Sequence, residues 1–431
     1  MESRLRDGVE VSGWSRGFGM ELRFRDGVAI VLCTAVPVHV QNAKKCNELR
    51  RSLSDGVRLY VDAVVRTCCS YAMGSINEVP FDQCKRTLSY HRSRITFPLN
   101  EHRMWMSDLE HNHQDAVVEG TGYPGIEMCE NWMRDLPPDV SSRPLIDLAI
   151  PGSHDSCASL LLCTAPVAND EGRVIRILGR LPPVRRLIQR WARTQCLTVA
   201  QQLVAGIRYF DMRVSVPSCT SISGMRVLHA LYGDEVYRIL AEMNAFLETH
   251  SHEVIIVDFN HLYNFNAIAY KQLLKTIEMS FGIQKLCPRE ELTHLTLDDM
   301  WKNGHQVIVI SARERRIPTT SWIWGPKSIM SPYANVNRLD RLITFLEITL
   351  SDHRKGPKSV FYVSQGVLTA KKRDVCLHPR SSLENFFARK CTEELVSWIK
   401  SYEQPLFFNI IICDFIDTSN FCDVVISLNR Q

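Results

Sequence analysis

Residues 145–156 read Leu-Ile-Asp-Leu-Ala-Ile-Pro-Gly-Ser-His-Asp-Ser, and the predicted fold is built outward from this stretch. Its first six residues form a largely apolar run of strand length, and the Pro-Gly pair that follows is typical of a strand end and a tight turn. The sequence therefore predicts that His154 and Asp155 lie at the carboxyl end of a strand. In α/β barrels and open α/β sheets, catalytic groups collect at that end. The alternative is a turn with an incidental histidine.

Length and composition favour a globular protein without a nucleic-acid partner. The chain has 431 residues, 45% of them apolar and 23% charged, which suits one large domain with an addition, or two domains. The net charge of +4 is too small to indicate nucleic-acid binding. The 15 cysteines include no C-x-x-C pair and no zinc-site spacing, which favours reduced thiols in a reducing compartment.

The longest uncharged run near the N-terminus, residues 27–40, has only 14 residues, which is short for a membrane span. It also follows a charged stretch that is too long for an ordinary signal peptide. These features predict a cytoplasmic protein.

The chain changes character near residue 130. Residues 1–125 show no sustained period of two or 3.6 and no motif, so we expect an irregular N-terminal extension of unknown function, poorly ordered or loosely attached. Beyond it, strand-like and helix-like segments alternate, which is typical of βα units around a parallel sheet. The predicted helices are 199–204, 234–249, 267–281 and 383–400. The predicted strands are 145–150, 207–214, 226–231, 253–260, 306–311, 322–325, 359–364 and 409–416. Eight strands in about 300 residues predict an α/β fold of the (β/α)8 TIM-barrel type.

Polar side chains recur near the ends of five of these strands. Residues two apart on a strand share a face, so each such pair points to one side. In a closed barrel the last strand lies beside the first, so Asp414 could reach His154. The predicted set, strand by strand, is His154 and Asp155, Asp211 and Arg213, His229, Asp258 and Asn260, and Asp414. A single such residue is more often a core group, but five strands arranged this way favour an active site.

Two histidines, an arginine and supporting carboxylates suit general acid–base catalysis at phosphorus. One imidazole takes a proton from the attacking hydroxyl, and the other protonates the leaving oxygen. An arginine matches two phosphate oxygens. Metal-assisted hydrolysis is the competitor, but Arg213 shares a face with Asp211, and its fixed charge would repel a divalent ion. The sequence thus predicts no metal site and no cofactor.

The chain resembles the X domain of phosphatidylinositol-specific phospholipase C, most closely that of the small X-domain-containing proteins. Over about residues 128–431 the matching motifs are Glu-Asn-Trp-Met at 130–133, Ile-Pro-Gly-Ser-His-Asp-Ser at 150–156, Trp-Ala-Arg-Thr-Gln at 191–195, Gly-Ile-Arg-Tyr-Phe-Asp-Met-Arg at 206–213, the His229 strand, and Asn-Ile-Ile-Ile-Cys-Asp-Phe-Ile at 409–416. The resemblance implies a distorted (β/α)8 barrel and an inositol phospholipid substrate, cleaved through a cyclic inositol phosphate.

The resemblance also implies a role for each catalytic residue. His154 would be the general base for the inositol 2-hydroxyl, and His229 the general acid for the diacylglycerol oxygen. Arg213 would hold the phosphate and Asp155 would lie close to it. Asp211 would brace the site, and Asp414 would orient His154. The calcium-dependent eukaryotic enzymes carry an acid where Arg213 stands, so this chain resembles the metal-independent bacterial arrangement. Asp258 and Asn260 are predicted to bind substrate together with Arg213.

A basic segment, residues 172–194, holds seven arginines and no acid among apolar side chains. Basic side chains near an anionic bilayer each contribute ~1 kcal/mol to binding, so a peripheral membrane contact is predicted. The predicted contact residues are Arg185, Arg186, Arg190 and Trp191. The alternative for this segment is a solvated basic helix face.

For the whole protein, the alternatives are a non-catalytic barrel that binds phosphoinositide or a protein, and a phosphodiesterase for another headgroup. The sequence leaves the oligomeric state open.

Overall fold

The computed structural model describes residues 10–15, 18–25, 28–34, 128–168, 170–217, 224–313, 320–356, 359–402 and 408–430. The chain divides into two compact units, Met1–Tyr71 and Ala72–Gln431. In the first unit, β1 (Glu10–Ser15), β2 (Phe18–Arg25) and β3 (Val28–Thr34) form an antiparallel sheet in that order. These strands were not predicted from the sequence. The expectation of poor order or loose attachment for residues 1–125 otherwise falls outside the described residues.

The second unit is built on a curled parallel sheet. Its strands, with an intervening hairpin, are β4 (Ile150–Ser153), β5 (Tyr209–Ser215), β6 (Arg226–His229), β7 (Leu231–Glu235), β8 (Ile255–Tyr263), β9 (Val307–Ser311), β10 (Ile323–Trp324), β11 (Ile329–Met330), β12 (Phe361–Gly366) and β13 (Ile410–Cys413). Eight of them lie side by side in the order β10-β9-β8-β5-β4-β13-β12-β11, and every neighbouring pair is parallel. Except for β10 and β11, strands that follow one another among these eight are neighbours in the sheet, and the last lies beside the first. This confirms an α/β fold of the distorted (β/α)8 type, with no ladder between β10 and β11 in the described part of the chain.

The helices of this unit are α1 (Pro138–Ser141), α2 (Arg173–Leu178), α3 (Pro182–Ala192), α4 (Val199–Val204), α5 (Val236–Thr249), α6 (Ala267–Phe281), α7 (Leu297–Lys302), α8 (Leu339–Lys355), α9 (Lys372–Leu377), α10 (Arg389–Lys400) and α11 (Phe421–Ser427). The bounds of α4 and α6 are those predicted. A π-helical turn, Glu384–Ala388, leads into α10 within the predicted helix 383–400. Among the described residues, no helix has both the length and the apolar character needed to cross a membrane.

The first barrel strand begins later than the apolar run indicated. Leu145–Asp147 is a 3₁₀ turn, and β4 starts at Ile150 and includes the Pro-Gly pair that was expected to end it. The Asn409 side-chain amide donates to the carbonyls of Leu145 and Leu148, which satisfies backbone groups that a strand would have paired. A Cβ on Gly152 would lie 2.8 Å from side-chain atoms of both flanking strands, so glycine permits the close approach of β4 to its neighbours.

The prediction that residues 226–231 form the third barrel strand was wrong. They form β6 and the bend of a β6–β7 hairpin, which pairs antiparallel with the end of β5. Ala230, at φ 58°, reverses the chain between the two hairpin strands. The eighth barrel strand is instead the short β11. An alternating apolar pattern does not distinguish a parallel from an antiparallel partner, because the side-chain period is two in both.

The stretch 206–213 serves both ends of the barrel. Arg208, before β5, forms an ion pair with Glu253, before β8, at 2.7 Å with both side chains fully buried. Glu253 also accepts hydrogen bonds from the backbone N–H groups of Met133 and Arg134. This ion pair links the strands at their amino-terminal end, while Asp211 and Arg213 lie toward the other end, where the candidate site is.

Candidate active site

His154 and Asp414 meet because their strands are neighbours. His154 follows β4, Asp414 follows β13, and the two strands are paired in parallel. His154 Nδ1 lies 2.8 Å from Asp414 Oδ1, and a carboxylate only accepts, so Nδ1 carries a proton. Arg213 Nη2, which only donates, lies 3.1 Å from His154 Nε2. These two contacts select the neutral tautomer that has its lone pair on Nε2.

The carboxylates around His154 and its burial have opposite effects on its pKa. Burial alone lowers the pKa of His154, but the Asp414 carboxylate and its hydrogen bond, with help from Asp155, raise it above the ordinary value. Arg213 has a smaller lowering effect on the same pKa. The neighbouring carboxylates therefore stabilise the protonated form of His154, the form that a general base adopts when it accepts a proton.

His229, at the end of β6, is held from the opposite side. Its Nδ1 donates to the carbonyl of Ala192, the last residue of α3, at 2.6 Å. Its Nε2 lies 3.4 Å from Asp155 Oδ2, and His154 Nε2 lies 3.9 Å from the same oxygen. One carboxylate therefore stands between the reactive nitrogens of two imidazoles.

Asp155 and Arg213 form the centre of the site. Asp155 is 3% exposed, and its Oδ1 lies 2.8 Å from Arg213 Nε. Burial alone raises the pKa of Asp155, but Arg213 and then the two histidines lower it below its usual range. Burial also opposes the charge of Arg213, and the carboxylates of Asp155 and Asp211 outweigh it and raise the pKa of Arg213. Both groups are therefore charged at neutral pH.

Asp211 braces the turn that carries Asp155. Its Oδ2 accepts from the backbone N–H of Asp155 at 3.0 Å, and its Oδ1 accepts from Asn260 Nδ2 at 3.3 Å. The register between β5 and β8 shifts between Asp211 and Arg213, so β8 carries a bulge that includes Asn260. Bulges of this kind redirect side chains and are common beside active sites.

Asp258, on β8, is buried. It is 3% exposed and accepts a hydrogen bond from the Tyr209 hydroxyl at 2.8 Å. Burial and the nearby Asp211 raise the pKa of Asp258 to about 7. Asp258 thus bonds to Tyr209 and Asn260 to Asp211, and the substrate-binding roles of Asp258 and Asn260 stay predictions.

Backbone strain is concentrated at the same place. Asp155, Ala230 and Phe415 have φ values of 41°, 58° and 49°, and each is a site residue or directly follows one. Left-handed conformations outside glycine cost about 1–3 kcal/mol each and persist where the surroundings enforce them. Three such residues around one carboxylate indicate a site whose geometry is imposed by the fold.

The structure corrects part of the predicted membrane contact. Trp191 is 6% exposed and packs against Phe386 and Phe387, so a membrane-contact role for Trp191 was wrong. Arg190 donates to the carbonyls at residues 379 and 381, and Arg185 to those at 164 and 165, so both guanidinium groups bind the protein's own loops. A tryptophan at the end of an amphipathic helix was assigned to the wrong face because its partners lie almost 200 residues away. Arg190 is nevertheless exposed, as are Arg173, Arg176, Arg180 and Arg186 of the same segment.

Two further side chains join the site without having been assigned a role from sequence. Thr194 and Gln195, both fully buried, hydrogen-bond to the backbone around His154, Asp155 and Asp414. They belong to the Trp-Ala-Arg-Thr-Gln motif at 191–195, so the sequence motif was identified, but no role was predicted for these two residues. Within the described residues, no group of three or more His, Cys, Asp or Glu side chains is arranged to hold a metal ion.

Comparisons with known proteins give relatives that match about 70% of this chain. The chain is 36% identical over 307 residues to the mouse PI-PLC X domain-containing protein 2, covering 70% of this chain and 88% of that protein. It is 31% identical over 306 residues to the mouse PI-PLC X domain-containing protein 3 (69% and 93%) and 30% identical over 308 residues to the human PI-PLC X domain-containing protein 1 (70% and 93%). No protein-family model matches the chain.

Solved structures share the fold at low identity. The phosphatidylinositol-specific phospholipase C of Listeria monocytogenes aligns with a TM-score of 0.50 at 17% identity, covering 70% of this chain and 99% of that one. A variant of the Staphylococcus aureus enzyme of the same name aligns with a TM-score of 0.51 at 16% identity, again covering 70% and 99%.

Proposed function

Because the chain belongs to the family of PI-PLC X domain-containing proteins, we propose that it is a phospholipase C-type phosphoric diester hydrolase acting on an inositol phospholipid. One observation carries the proposal. The imidazoles of His154 and His229 lie on either side of the Asp155–Arg213 ion pair, and only His154 has a second carboxylate on its outer nitrogen. That asymmetry separates a base from an acid.

The proposed reaction begins at His154. Its Nε2 lone pair takes the proton of the inositol 2-hydroxyl, and that oxygen attacks the phosphorus. Asp414 stabilises the imidazolium that forms, and it holds the proton on Nδ1 so that Nε2 remains the reactive atom. When a phosphate enters, the Arg213 guanidinium exchanges its contact with Nε2 for phosphate oxygens, which frees the base.

His229 completes the step. Its Nε2 proton passes to the diacylglycerol oxygen as the phosphorus–oxygen bond breaks, which gives diacylglycerol and a cyclic inositol phosphate. The Ala192 carbonyl fixes the ring, and Asp155 Oδ2 lies 3.4 Å from Nε2, the atom that donates the proton in the proposed step. Arg213 offsets the negative charge that develops on the phosphate oxygens.

The proposed reaction does not require a divalent ion. Arg213 places a permanent positive charge between the carboxylates of Asp155 and Asp211, where a metal would have to bind. Calcium needs about six oxygen ligands, and a fixed cation among them would repel it. The guanidinium neutralises the phosphate directly.

The substrate implies peripheral association with an anionic membrane surface. The exposed arginines of the basic segment are suited to that contact, each with a contribution of ~1 kcal/mol near the surface. We place the protein in the cytoplasm, on the ground that the buried thiols of Cys157 and Cys413 are free.

The test uses the full chain and vesicles that mix phosphatidylinositol with other phospholipids, with the water-soluble products followed by ³¹P NMR. We expect a cyclic inositol phosphate at equal rates in excess chelator and in millimolar calcium, and a rate at least about 10²-fold lower from His154→Ala. Release of a different phosphorylated headgroup would reassign the substrate. Activity that chelation abolishes and calcium restores would refute the metal-independent mechanism, and vesicle binding without any product would indicate a non-catalytic barrel.

A further inference from the structure

Ala192–Gln195, which we call the clamp segment, contacts the protein at or beside four members of the candidate site, His154, Asp155, His229 and Asp414. It begins at the last residue of α3 and continues toward α4. Its side chains at 194 and 195 are fully buried although both are polar. Burying polar groups costs free energy unless every donor and acceptor is satisfied, so their partners show what they hold in place.

Gln195 ties the first barrel strand to the last. Its Nε2 donates to the carbonyls of His154 and Cys413, each at 3.0 Å, and its Oε1 accepts from the backbone N–H of Ile416 at 3.2 Å. His154 and Asp414 are thereby bracketed, because one contact is on His154 itself and the others are on Cys413, one residue before Asp414, and Ile416, two residues after it. Both amide hydrogens and the oxygen of Gln195 are used on these two strand ends.

Thr194 and Ala192 hydrogen-bond to two further residues of the candidate site, Asp155 and His229. Thr194 Oγ1 donates to the Asp155 carbonyl at 3.0 Å, and the Thr194 carbonyl accepts from Phe415 N–H at 2.8 Å. The Ala192 carbonyl accepts from His229 Nδ1 at 2.6 Å. Two of the residues contacted, Asp155 and Phe415, have left-handed backbones, which external contacts must maintain.

We propose that Gln195 is a positioning residue of the proposed phosphodiesterase, which sets the distance between His154 and Asp414, with Thr194 and the Ala192 carbonyl placing Asp155 and His229. This inference rests on the proposed function for its catalytic consequence, but not for its geometric one. His154 and Asp414 are 260 residues apart, on strands that no turn connects. The backbone N–H of His154 donates to the Cys413 carbonyl at 3.1 Å, and beyond this last ladder contact Gln195 adds side-chain hydrogen bonds to both strand ends.

The proposal predicts an electrostatic effect as well as a kinetic one. The charged groups facing His154 are Asp414 from β13, Asp155 beside it and Arg213 from β5. If Asp414 moves away, burial and Arg213 remain and both disfavour the imidazolium, so the pKa of His154 should fall. A misplacement of about 1 Å can also cost about 10²-fold in rate.

The test compares Gln195→Met with Gln306→Met. Gln306 is a matched control because it is also buried, with Nε2 donating to the carbonyls of His250 and Glu253, but it lies at the amino-terminal end of β9. The His154 pKa is read by NMR of ring-labelled histidine, with kcat and KM on a short-chain soluble phosphatidylinositol. For Gln195→Met we expect a fall of about one pH unit in the His154 pKa and of about 10²-fold in kcat, with KM little changed. For Gln306→Met we expect neither.

Equal His154 pKa values in the two variants would overturn the proposal, whatever their stabilities. If the wild-type protein shows no phospholipase activity, the titration still decides: a shift specific to Gln195→Met supports positioning while the proposed function fails. Should Gln195→Met not fold, Gln195→Asn keeps the amide but withdraws it by one methylene. It should shift the pKa in the same direction by less, and an unchanged pKa in that variant would overturn the proposal.

Discussion

Replacing Asp414 with asparagine tests the base assignment most directly. The asparagine oxygen can still accept from His154 Nδ1, so Asp414→Asn removes the charge and leaves an acceptor in place. With Nδ1 and Oδ1 2.8 Å apart, the charge centres are about 4 Å apart, which gives about 4 kcal/mol at an effective dielectric constant of about 20. Both side chains are little exposed, at 11% and 4%, so solvent screening is weak. The transition state with His154 protonated loses this amount, and kcat should fall about 10³-fold.

The pH dependence of kcat/KM shows in which direction the His154 pKa changes. The Asp414 carboxylate raises the His154 pKa, so its removal should move the acidic limb of the kcat/KM profile to lower pH while the plateau falls. The control is Asp417→Asn, three residues along, whose carboxylate pairs with Arg389 at 2.9 Å and not with His154. Steady-state kinetics on the soluble substrate between pH 4 and 9 measure both effects. An Asp414→Asn enzyme with wild-type kcat and an unmoved limb would refute the assignment of His154 as the base.

Three further predictions follow from the site and its surroundings. His154→Ala and His229→Ala should each lower kcat by about 10²-fold or more, and the double variant should be little worse than either; independent, multiplying losses in steady-state kinetics would contradict paired roles. Asp258, with its pKa raised to about 7 from an ordinary 3.8, keeps a proton that the unfolded chain has lost, so its contribution lowers the free energy of unfolding as pH rises through that window. Urea unfolding at pH 5 and pH 8 should show a smaller decrease in Asp258→Asn than in wild type, and equal decreases would count against the raised pKa. Neutralising exposed arginines of the basic segment to glutamine should weaken salt-sensitive sedimentation with anionic vesicles and spare activity on the soluble substrate; unchanged vesicle binding would favour the solvated-face alternative. The arginines for this last variant are Arg173, Arg176 and Arg180.

The local sequence pattern was sufficient to predict those features of the fold that depend only on the order of strands and helices along the chain. The alternation of apolar strands and amphipathic helices predicted the barrel, and α4 and α6 begin and end where the pattern placed them. In the first unit a signal was present and not used. Asp-Gly at residues 26–27 separates two strand-like runs, which is a strong hairpin sequence, and β2 and β3 are antiparallel neighbours on either side of it.

By itself, the sequence determined which residue types stand at the strand ends and that the last strand adjoins the first. The pairing of His154 with Asp414 follows from these two facts, because barrel topology brings the ends of β4 and β13 together regardless of side-chain detail. Only the tertiary structure placed His229 on a hairpin outside the barrel ladder, since the direction of strand pairing leaves no trace in a period of two. Only the tertiary structure showed that Trp191 is buried and that Gln195 links two strand ends. Both depend on partners roughly 190 to 220 residues away, and packing between such distant segments is decided by the assembled fold and not by neighbours in sequence.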